Sequence, residues 1–489
     1  MKRLEDYPDA HLRIFDRPPP PDHPESAYLI GICGTGMGAL AGLFQEAGMT
    51  VSGADASVYP PMSTRLAAMG IPVHEGFDPD HLTPPPDVVV VGNACTPTHV
   101  EAAAARERHL PQLSLPEAVA HYFIRDRRSL VIAGTHGKTT TTSLLAHVLR
   151  ENRLDPGFLV GGVMNNGGIS YAVGSGPHFV IEGDEYDSAY FDKRPKFLHY
   201  RPESAIVTSV EFDHADIYAS MDAYREAFQE FAAIVPADGV LVLNGDEPEV
   251  ARLANHARSR IRTYGLVSPS VDVTATDIRT DENGQSFVPI VDGRPLGRMN
   301  LGMSGRHNLM NALAVLCVVL EEGLTPEQAD VGFRTFSGIQ RRQQVVGVEQ
   351  NIVVVDDFAH HPTAVRATIQ AARERWSARR IVAVFEPRSN SSRRKVFEAG
   401  YTEAFSDAHA VFLSTPPFRH NDDPSNFMDI DAVLAAIRAE GIDAFKGSDA
   451  DAILPMLIRY LKPGDVALIM SNGSFGGIHK RLLDALKSA

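Results

Sequence analysis

Cysteine and long apolar runs are scarce in this chain of 489 residues. Its three cysteines, Cys33, Cys95 and Cys317, are far apart and odd in number. They form neither a disulfide framework nor a zinc-binding spacing, and such usage is typical of a reducing cytosol. No apolar run approaches the roughly 18 residues that a membrane helix needs, and the N-terminal stretch lacks the apolar core of a signal peptide. We therefore expect a cytoplasmic protein with no membrane partner.

Basic residues are also fewer than acidic ones. The chain has 46 Lys and Arg against 61 Asp and Glu, a net charge of −15, and no Lys/Arg run stands out. This balance argues against general nucleic-acid binding. The apolar fraction of 44% is ordinary for globular proteins, and the length predicts about three domains. We place a polar, Pro-rich arm at 1–26 and domains at 27–126, 127–337 and 338–489.

A glycine-rich turn stands between an apolar strand pattern at 130–133 and an apolar helical pattern at 143–149. The turn comprises Gly134, Thr135, His136, Gly137, Lys138, Thr139 and Thr140. In such a turn the backbone N–H groups face a phosphate, the lysine reaches the outer phosphates and a Thr hydroxyl binds Mg²⁺. The usual first glycine is missing, because Ile132 stands in its place. The pattern nevertheless predicts a nucleotide-phosphate cradle.

Residues 27–55 read as a strand, a glycine turn, a helix and a second strand that ends in Asp55. The turn, which fits the form G-x-G-x-x-(G/A), comprises Gly34, Thr35, Gly36, Met37 and Gly38. It predicts a nucleotide diphosphate on the helix N-terminus, with Asp55 near a ribose or base. The pattern does not distinguish NAD from a UDP-sugar, and a turn that only packs helix on strand is the structural alternative. Asn93 follows a strand of four valines, where ligands collect in such sheets.

Two later strands end in carboxylates. One delivers Glu182, Asp184, Glu185 and Asp187, and the other runs into the stretch 211–216, which contains His214. Mg²⁺ takes oxygen ligands, so carboxylates beside a phosphate cradle predict a metal site, with a solvated acidic loop as the alternative. A histidine at a strand end among carboxylates is a candidate ligand. Residues 260–300 resemble a small antiparallel appendage.

Polar residues also mark the last third of the chain. Asn308 and Asn311 share one face of a helix start, and Arg341 and Arg342 are either surface charge or a phosphate clamp. The third domain alternates strands and helices, and its first predicted strand ends in Asp356 and Asp357. Two other strand ends, one with Arg388, Ser389 and Asn390 and one with a glycine turn that begins at Asn472, predict a pocket for an anionic, polar ligand.

The motifs GICGTGMG, GTHGKTTTT, EGDEYD, EFDHADIY, GRHNLMNA, RR and DDFAHHPTA follow one another in the order found in Mur ligases. The chain resembles this family over nearly all of its length after the arm. The resemblance implies an α/β protein of three domains: an N-terminal Rossmann-like domain, a central P-loop ATPase-like domain with a small antiparallel appendage, and a C-terminal Rossmann-like domain. It also implies an ATP-dependent amide ligase of bacterial cell-wall precursor synthesis.

Residue roles follow from the same resemblance. ATP would phosphorylate the lactyl carboxylate of UDP-N-acetylmuramate, and an amine would then attack the acyl phosphate, with Mg²⁺ as cofactor. The catalytic set would be Lys138, Glu182, His214 and Arg342, and the metal ligands Thr139, Glu182 and His214. Besides the residues of the phosphate turn, the ATP contacts would be Asn308, Asn311, Arg342, Asp356 and Asp357. The UDP-sugar contacts would be the first glycine turn, Asp55 and Asn93.

Four stretches, VYPPMST, DKRPKFLHYRPE, FEPRSNSS and MSNGSFGGIHKRLL, are similar to the subgroup of the family that attaches a recycled tripeptide, L-Ala-γ-D-Glu-meso-diaminopimelate. This likeness implies peptide contacts by Arg388, Ser389, Asn390, Ser471 and Asn472. The longer arm and the SSRRK after EPRSN depart from the pattern. The L-alanine-adding subgroup remains the nearest alternative. An NAD-dependent dehydrogenase, which rests on the first glycine turn alone, is a remote one. A monomer and a homodimer both stay open.

Overall fold

The computed structural model describes residues 3–59, 62–212, 217–218, 220–389, 392–417 and 426–488. By internal contacts the chain divides into two compact units. The first takes in Met1–Thr274, Ile290–Arg294 and Leu313–Gly332, and the second Ala275–Pro289, Pro295–Ala312 and Phe333–Ala489. Within the described ranges, no helix has the length and apolar character to cross a membrane.

The first unit opens with a five-stranded sheet. Its strands are β1 (Ser26–Ile30), β2 (Thr50–Asp55), β3 (Val73–Glu75), β4 (Val88–Val91) and β5 (Gln112–Ser114). They are all parallel, in the order β3–β2–β1–β4–β5. The helices of this region are α1 (Ala10–Arg13), α2 (Thr35–Glu46), α3 (Met62–Ala68), α4 (Val100–Glu107) and α5 (Leu115–Val119). The valines of β4 are buried, as expected for a parallel strand covered on both faces.

A second sheet follows in the same unit. Its strands are β6 (Arg128–Ala133), β7 (Gly157–Leu159), β8 (Tyr171–Ala172), β9 (His178–Gly183), β12 (Ser204–Val207), β13 (Val240–Asn244) and β14 (Arg260–Tyr264). Two further strands, β10 (Asp187–Ala189) and β11 (Asp192–Pro195), form a separate hairpin. The order is β14–β13–β12–β6–β9–β7–β8, parallel except for β8. The helices are α6 (Lys138–Glu151), α7 (Met221–Ile234) and α8 (Pro248–Ala251). The structure corrects one expectation here: residues 260–264 extend the parallel sheet and are not part of an antiparallel appendage.

The unit boundary falls within the next strand. The elements that follow are β15 (Val273–Asp281), β16 (Gly284–Val291), β17 (Arg294–Pro295), β18 (Met299–Leu301), α9 (Arg306–Glu321) and α10 (Pro326–Thr335). Strands β16 and β18 pair antiparallel, so an antiparallel portion does exist after residue 275.

The second unit contains the third sheet. Its elements are β19 (Gln344–Glu349), β20 (Ile352–Asp357), α11 (Pro362–Arg375), β21 (Arg380–Glu386), α12 (Glu398–Ala404), β22 (Ala410–Ser414), α13 (Ile430–Ala439), β23 (Asp443–Gly447), α14 (Ala450–Tyr460), β24 (Asp465–Ser471) and α15 (Ile478–Ser488). The strand order is β19–β20–β24–β21–β22–β23, with only β19 antiparallel. Two apolar clusters cover the two faces of this sheet. Sheets of mainly parallel strands alternating with helices confirm the α/β fold class.

Candidate functional site

The phosphate turn joins β6 to α6. Gly134 has φ +132°, and a Cβ there would lie 2.1 Å from the Thr208 Oγ1 atom, so only glycine fits. Gly137, with φ +81°, is the N-cap of α6. The first N–H groups of a helix have no partner inside the helix, so the turn presents donors and the positive end of the helix dipole together. This arrangement is suited to a phosphate group.

Lys138, the first residue of α6, is already paired within the site. Its Nζ donates to the Gly134 carbonyl at 2.6 Å and to a carboxylate oxygen of Glu185 at 2.8 Å. Burial alone would lower the pKa of Lys138, but the carboxylates of Glu185 and Asp184 more than offset it, so the pKa is raised. The lysine is therefore fully charged at neutral pH, as phosphate binding requires.

Glu182, at the end of β9, lies beside the start of α6. The Thr139 hydroxyl donates to one of its carboxylate oxygens at 3.0 Å, and the Gly161 N–H donates to the other. Burial and the neighbouring Asp184 raise the pKa of Glu182 to about 7. A buried carboxylate that carries its charge unfavourably is stabilised by a cation. The oxygens of Thr139 and Glu182 thus fit a hard divalent cation, while the third predicted ligand, His214, lies outside the described residues.

The rest of the turn is fastened to the chain after β12. The Thr135 hydroxyl donates to the Glu211 carbonyl at 3.0 Å and accepts from the Glu211 N–H at 2.9 Å. The His136 N–H donates to the Ser209 hydroxyl, and the His136 ring Nε2 lies 2.9 Å from a carboxylate oxygen of Glu211. Thr140 is buried in the first turn of α6. These contacts hold the loop in shape. Because the N–H groups of Thr135 and His136 both donate to Ser209, the donors that can meet a phosphate are those at the start of α6.

In the first glycine turn, helix α2 begins at Thr35, one residue after Gly34, the first glycine of the motif. Gly34 is the N-cap of α2, and Thr35 and Gly36 are exposed in its first turn. Met37 and Gly38 are buried: the Met37 side chain is in the core, and a Cβ at Gly38 would lie 2.4 Å from the Met62 sulfur. Two of the five residues therefore serve packing, and the exposed N-terminus of α2 carries the anion-binding character.

Asp55, the last residue of β2, holds this turn in place. One of its carboxylate oxygens accepts from the Cys33 N–H at 2.9 Å. Asn93 is exposed after β4, and its side-chain amide donates to the Asp187 carboxylate at 3.2 Å. Asp187 in turn accepts from the Lys193 ammonium. Both predicted residues therefore lie at the carboxyl ends of strands in the first sheet.

In the second unit, Asn308 and Asn311 are buried on one face of the start of α9. The Asn308 amide donates to the Ser304 carbonyl at 2.8 Å, which satisfies a backbone acceptor just before the helix. His307 precedes them. Burial and the adjacent Arg342 lower its pKa to about 4, so its ring is neutral at physiological pH.

Asp357 is buried near the half-buried Arg342 in this unit. The Arg342 guanidinium lies over the Phe358 ring at 5.2 Å. Asp357 accepts from the N–H groups of Gln343 and Ala359 at 2.8 and 2.7 Å, and burial raises its pKa. Asp357 therefore orders the chain around the end of β20, in addition to any ligand contact.

Asp356 lies beside two residues that the sequence did not single out for it. Arg341 approaches one of its carboxylate oxygens at 3.3 Å, and His479 approaches the other at 3.1 Å. Arg341 also donates to the carbonyls of Ser471 and Gly473, each at 2.6 Å. The ends of β20 and β24 are thereby tied together.

The predicted peptide residues converge at the ends of β21 and β24. Arg388 is exposed, and a Cβ at Gly473 would lie 2.5 Å from its guanidinium nitrogen, so glycine lets the arginine lie against the backbone. The Ser471 hydroxyl donates to the Glu386 carboxylate. The side-chain oxygen of Asn472 is buried without a hydrogen-bond partner among the described residues.

The remaining two peptide candidates lie next in the chain. The Ser389 hydroxyl accepts from the Ser392 N–H at 2.9 Å, which forms a local turn, and Asn390 lies outside the described residues. The sequence did not single out Glu386, and it indicated Glu185 as a metal-site carboxylate but not as the partner of Lys138. The EPRSN and EGDEYD motifs contained both, but a motif does not say which of its carboxylates meets a particular partner.

A phosphate cradle on a parallel sheet, flanked in sequence by two further parallel sheets with polar strand ends, defines a nucleotide-dependent α/β enzyme. Three family models match the chain: the catalytic domain of the Mur ligase family at residues 26–127, the Mur ligase middle domain at 132–319, and the glutamate ligase domain at 341–473. The chain belongs to the Mur ligase family and is an ATP-dependent ligase. This assignment leaves the dehydrogenase alternative without support.

Similar proteins carry names from both subgroups. The UDP-N-acetylmuramate–L-alanyl-γ-D-glutamyl-meso-2,6-diaminoheptandioate ligase of Escherichia coli K12 is 37% identical over 94% of this chain and 98% of its own length. The UDP-N-acetylmuramate–L-alanine ligase of Geotalea uraniireducens is 34% identical over 95% and 98%. The crystal structure of a murein peptide ligase from Psychrobacter arcticus is 33% identical, with a TM-score of 0.70 over 95% of this chain and 99% of that one.

Proposed function

We propose that this ligase joins UDP-N-acetylmuramate to the tripeptide L-Ala-γ-D-Glu-meso-diaminopimelate, with ATP hydrolysed to ADP and phosphate. The observation that carries the choice of amine is the polar group at the ends of β21 and β24. There Arg388 lies against Gly473, and the buried oxygen of Asn472 has no hydrogen-bond partner within the described ranges. A tripeptide with several carboxylates offers partners for these groups, whereas L-alanine offers one. The names of relatives at 37% identity support the same choice.

The chemistry demands that anions be brought together. A carboxylate oxygen of the muramate attacks the γ-phosphorus of ATP, the bond to ADP breaks, and an acyl phosphate forms. The peptide amine then attacks the acyl carbon, loses a proton and expels phosphate. Each anionic partner repels the next, so fixed positive charge at the phosphate lowers the barrier.

Lys138 supplies that charge in our proposal. Its ammonium stays protonated and is held at the mouth of the cradle by Glu185 and the Gly134 carbonyl. Binding of ATP would exchange these acceptors for phosphate oxygens. The N–H groups at the start of α6 would hold the remaining phosphate charge.

Mg²⁺ is the cofactor that Thr139 and Glu182 would hold, together with the predicted ligand His214. When bound, such an ion polarises phosphoryl oxygens and orients the leaving group. The raised pKa of Glu182, about 7, marks the site as one where a cation relieves an unfavourable charge. We propose a cytoplasmic location, in keeping with three cysteines that form no disulfide.

The test is a comparison of amine substrates. ADP release is measured with UDP-N-acetylmuramate and MgATP, and either L-alanine or the tripeptide is added. The proposal expects turnover with the tripeptide and little with L-alanine at equal concentration. The reverse preference would identify an L-alanine-adding ligase, and turnover with neither would reject both assignments. Omission of Mg²⁺ is the control for the metal.

A further inference from the structure

The N-terminal arm packs against the separate β10–β11 hairpin. Phe15 stacks on Tyr190, with ring centroids 6.2 Å apart, and meets Phe191 edge-on at 6.0 Å. Arg13 donates to the Tyr190 carbonyl at 3.1 Å. Tyr190 and Phe191 are the turn between β10 and β11. The arm is thus a covering over this turn.

Arg17 fastens the arm on its other side. Its guanidinium forms two hydrogen bonds to the Glu117 carboxylate, at 2.9 and 3.0 Å, and lies over the Phe191 ring at 4.3 Å. It also donates to the Gln112 carbonyl at 3.1 Å. A bidentate arginine pair is geometrically specific, so Arg17 fixes the arm relative to both β5 and the hairpin turn.

The hairpin turn is buried in the core of the first sheet. Ala189, Tyr190 and Phe191 join one apolar cluster with residues of β1 and β4. The Tyr190 hydroxyl donates to the Gln112 side chain and accepts from Arg106, both at 3.3 Å. The turn is therefore packed between the first sheet and the arm.

The end of the hairpin opposite its turn contacts Asn93, a candidate residue for binding the sugar nucleotide. Asp187 begins β10 and Lys193 lies in β11. One carboxylate oxygen of Asp187 accepts from Asn93 at 3.2 Å, and the other accepts from Lys193. The side chains of Asp187 and Lys193 are only 15% and 18% exposed, so this pair is partly shielded from solvent.

We propose that the arm and the β10–β11 hairpin position Asn93 for the sugar nucleotide, and that Asp187 is the positioning residue through which they act. This inference rests on the proposed function, since it takes UDP-N-acetylmuramate as the ligand near Asn93. A free asparagine samples several rotamers, whereas one held by a fixed carboxylate presents its amide in one direction. Binding then loses less side-chain entropy.

A metal site is the rival interpretation of the same region. Ligand atoms of Glu117, Asp192 and His199 lie within 4.8 Å of one another. Both carboxylates are already matched by arginines: Glu117 by Arg17, and Asp192 by Arg194 at 2.7 Å. The cluster therefore stabilises the hairpin through ion pairs, and a cation would have to displace two guanidinium groups to bind there.

The test uses the full-length chain with Phe15→Ala and Asp187→Ala. Each should raise the KM and the Kd for UDP-N-acetylmuramate about tenfold or more, while kcat and the KM for ATP stay within about twofold. Ile14→Ala, at an exposed position in the same arm, and Asp238→Ala, at an exposed position elsewhere, are the matched controls and should change none of these values. Thermal unfolding of every variant is recorded alongside.

The double variant F15A/D187A decides whether the arm acts through Asp187. If it does, the double variant should have the same KM and Kd for UDP-N-acetylmuramate as D187A alone, because the loss of Asp187 already removes the effect of the arm on Asn93. If the effects of the two single variants multiply in the double variant, the arm does not act through Asp187. Equal rises in KM for all substrates, or an unchanged Kd for UDP-N-acetylmuramate with only a lower Tm, would show a purely structural role and overturn the inference. A wild-type enzyme that does not bind UDP-N-acetylmuramate would overturn the proposed function, and the inference with it.

Discussion

Lys138 and Glu185 are 47 residues apart in sequence, yet they form a buried ion pair at the predicted phosphate site. Their side chains are 11% and 0% exposed. The pair has two consequences: it holds the lysine ready at the cradle, and it makes the lysine necessary for the stability of its surroundings. Removal of one member of a buried pair leaves a charge without its counter-ion.

The variant Lys138→Met separates these two consequences. It should abolish measurable ligation and lower the free energy of unfolding by about 3–5 kcal/mol, because Glu185 loses its ammonium. The double variant K138M/E185Q should recover most of the stability and none of the activity. Urea unfolding and ADP release measure the two effects. Lys480→Met, which removes an exposed ammonium, is the control, and activity in the double variant would contradict the role of Lys138.

Arg388 is the residue that we propose for peptide binding. Arg388→Ala should raise the KM for the tripeptide by at least about tenfold, since a charge-assisted contact to a carboxylate contributes roughly 1.5–3 kcal/mol. The KM for ATP should stay unchanged. Arg459→Ala, an exposed arginine on α14, is the matched control. Equal effects on the two substrates would remove Arg388 from the peptide site.

At the scale of elements, Glu322 joins three strands of the central sheet just after the end of α9. It accepts from Arg128 and His178, each at 3.0 Å, and from Ser204 at 3.2 Å. These three residues begin β6, β9 and β12. Burial would raise the pKa of Glu322, but hydrogen bonds from His178 and Arg128 outweigh it and lower the pKa to about 2.

The lowered pKa of Glu322 predicts how stability depends on pH. A depressed carboxyl pKa contributes stability that is present above the ordinary value of 4.5 and lost as pH falls toward 2. Glu322→Gln should therefore cost about 1–3 kcal/mol at pH 7, and its difference from wild type should shrink between pH 4.5 and 2. Urea unfolding at several pH values is the measurement, with the exposed Glu226→Gln as control. A difference that does not depend on pH would refute the ionic role.

At the scale of the whole molecule, the net charge of −15 argues against general nucleic-acid binding. Its anionic substrates must instead be met by local cations such as Lys138. Fluorescence anisotropy of a labelled DNA duplex should show no saturable binding at about 150 mM salt, because general nucleic-acid binding needs a clustered positive surface. Saturable binding that weakens with added salt would contradict this expectation.

Much of the fold followed from local patterns. The apolar runs of β1, β4, β6, β20 and β24 and the two glycine turns were evident in the sequence, because each depends on neighbouring residues alone. The short strands β5, β19 and β23 were not predicted as strands. They have three to six residues, and pairing with a neighbouring strand makes them strands more than their own composition does.

The site divides in the same way. The sequence by itself determined which side chains the site contains: a glycine turn with Lys138 and Thr139, the carboxylate Glu182, and the polar ends of strands in the third sheet. It could do so because motif spacing on a strand or helix specifies which side chains share an edge of the sheet. Tertiary structure alone decided which partners those side chains meet. The pairing of Lys138 with Glu185, of Asn93 with Asp187 and of Arg17 with Glu117 joins residues 47, 94 and 100 positions apart. Such contacts arise only when packing of apolar surfaces brings distant strands and loops together, so no local pattern specifies them.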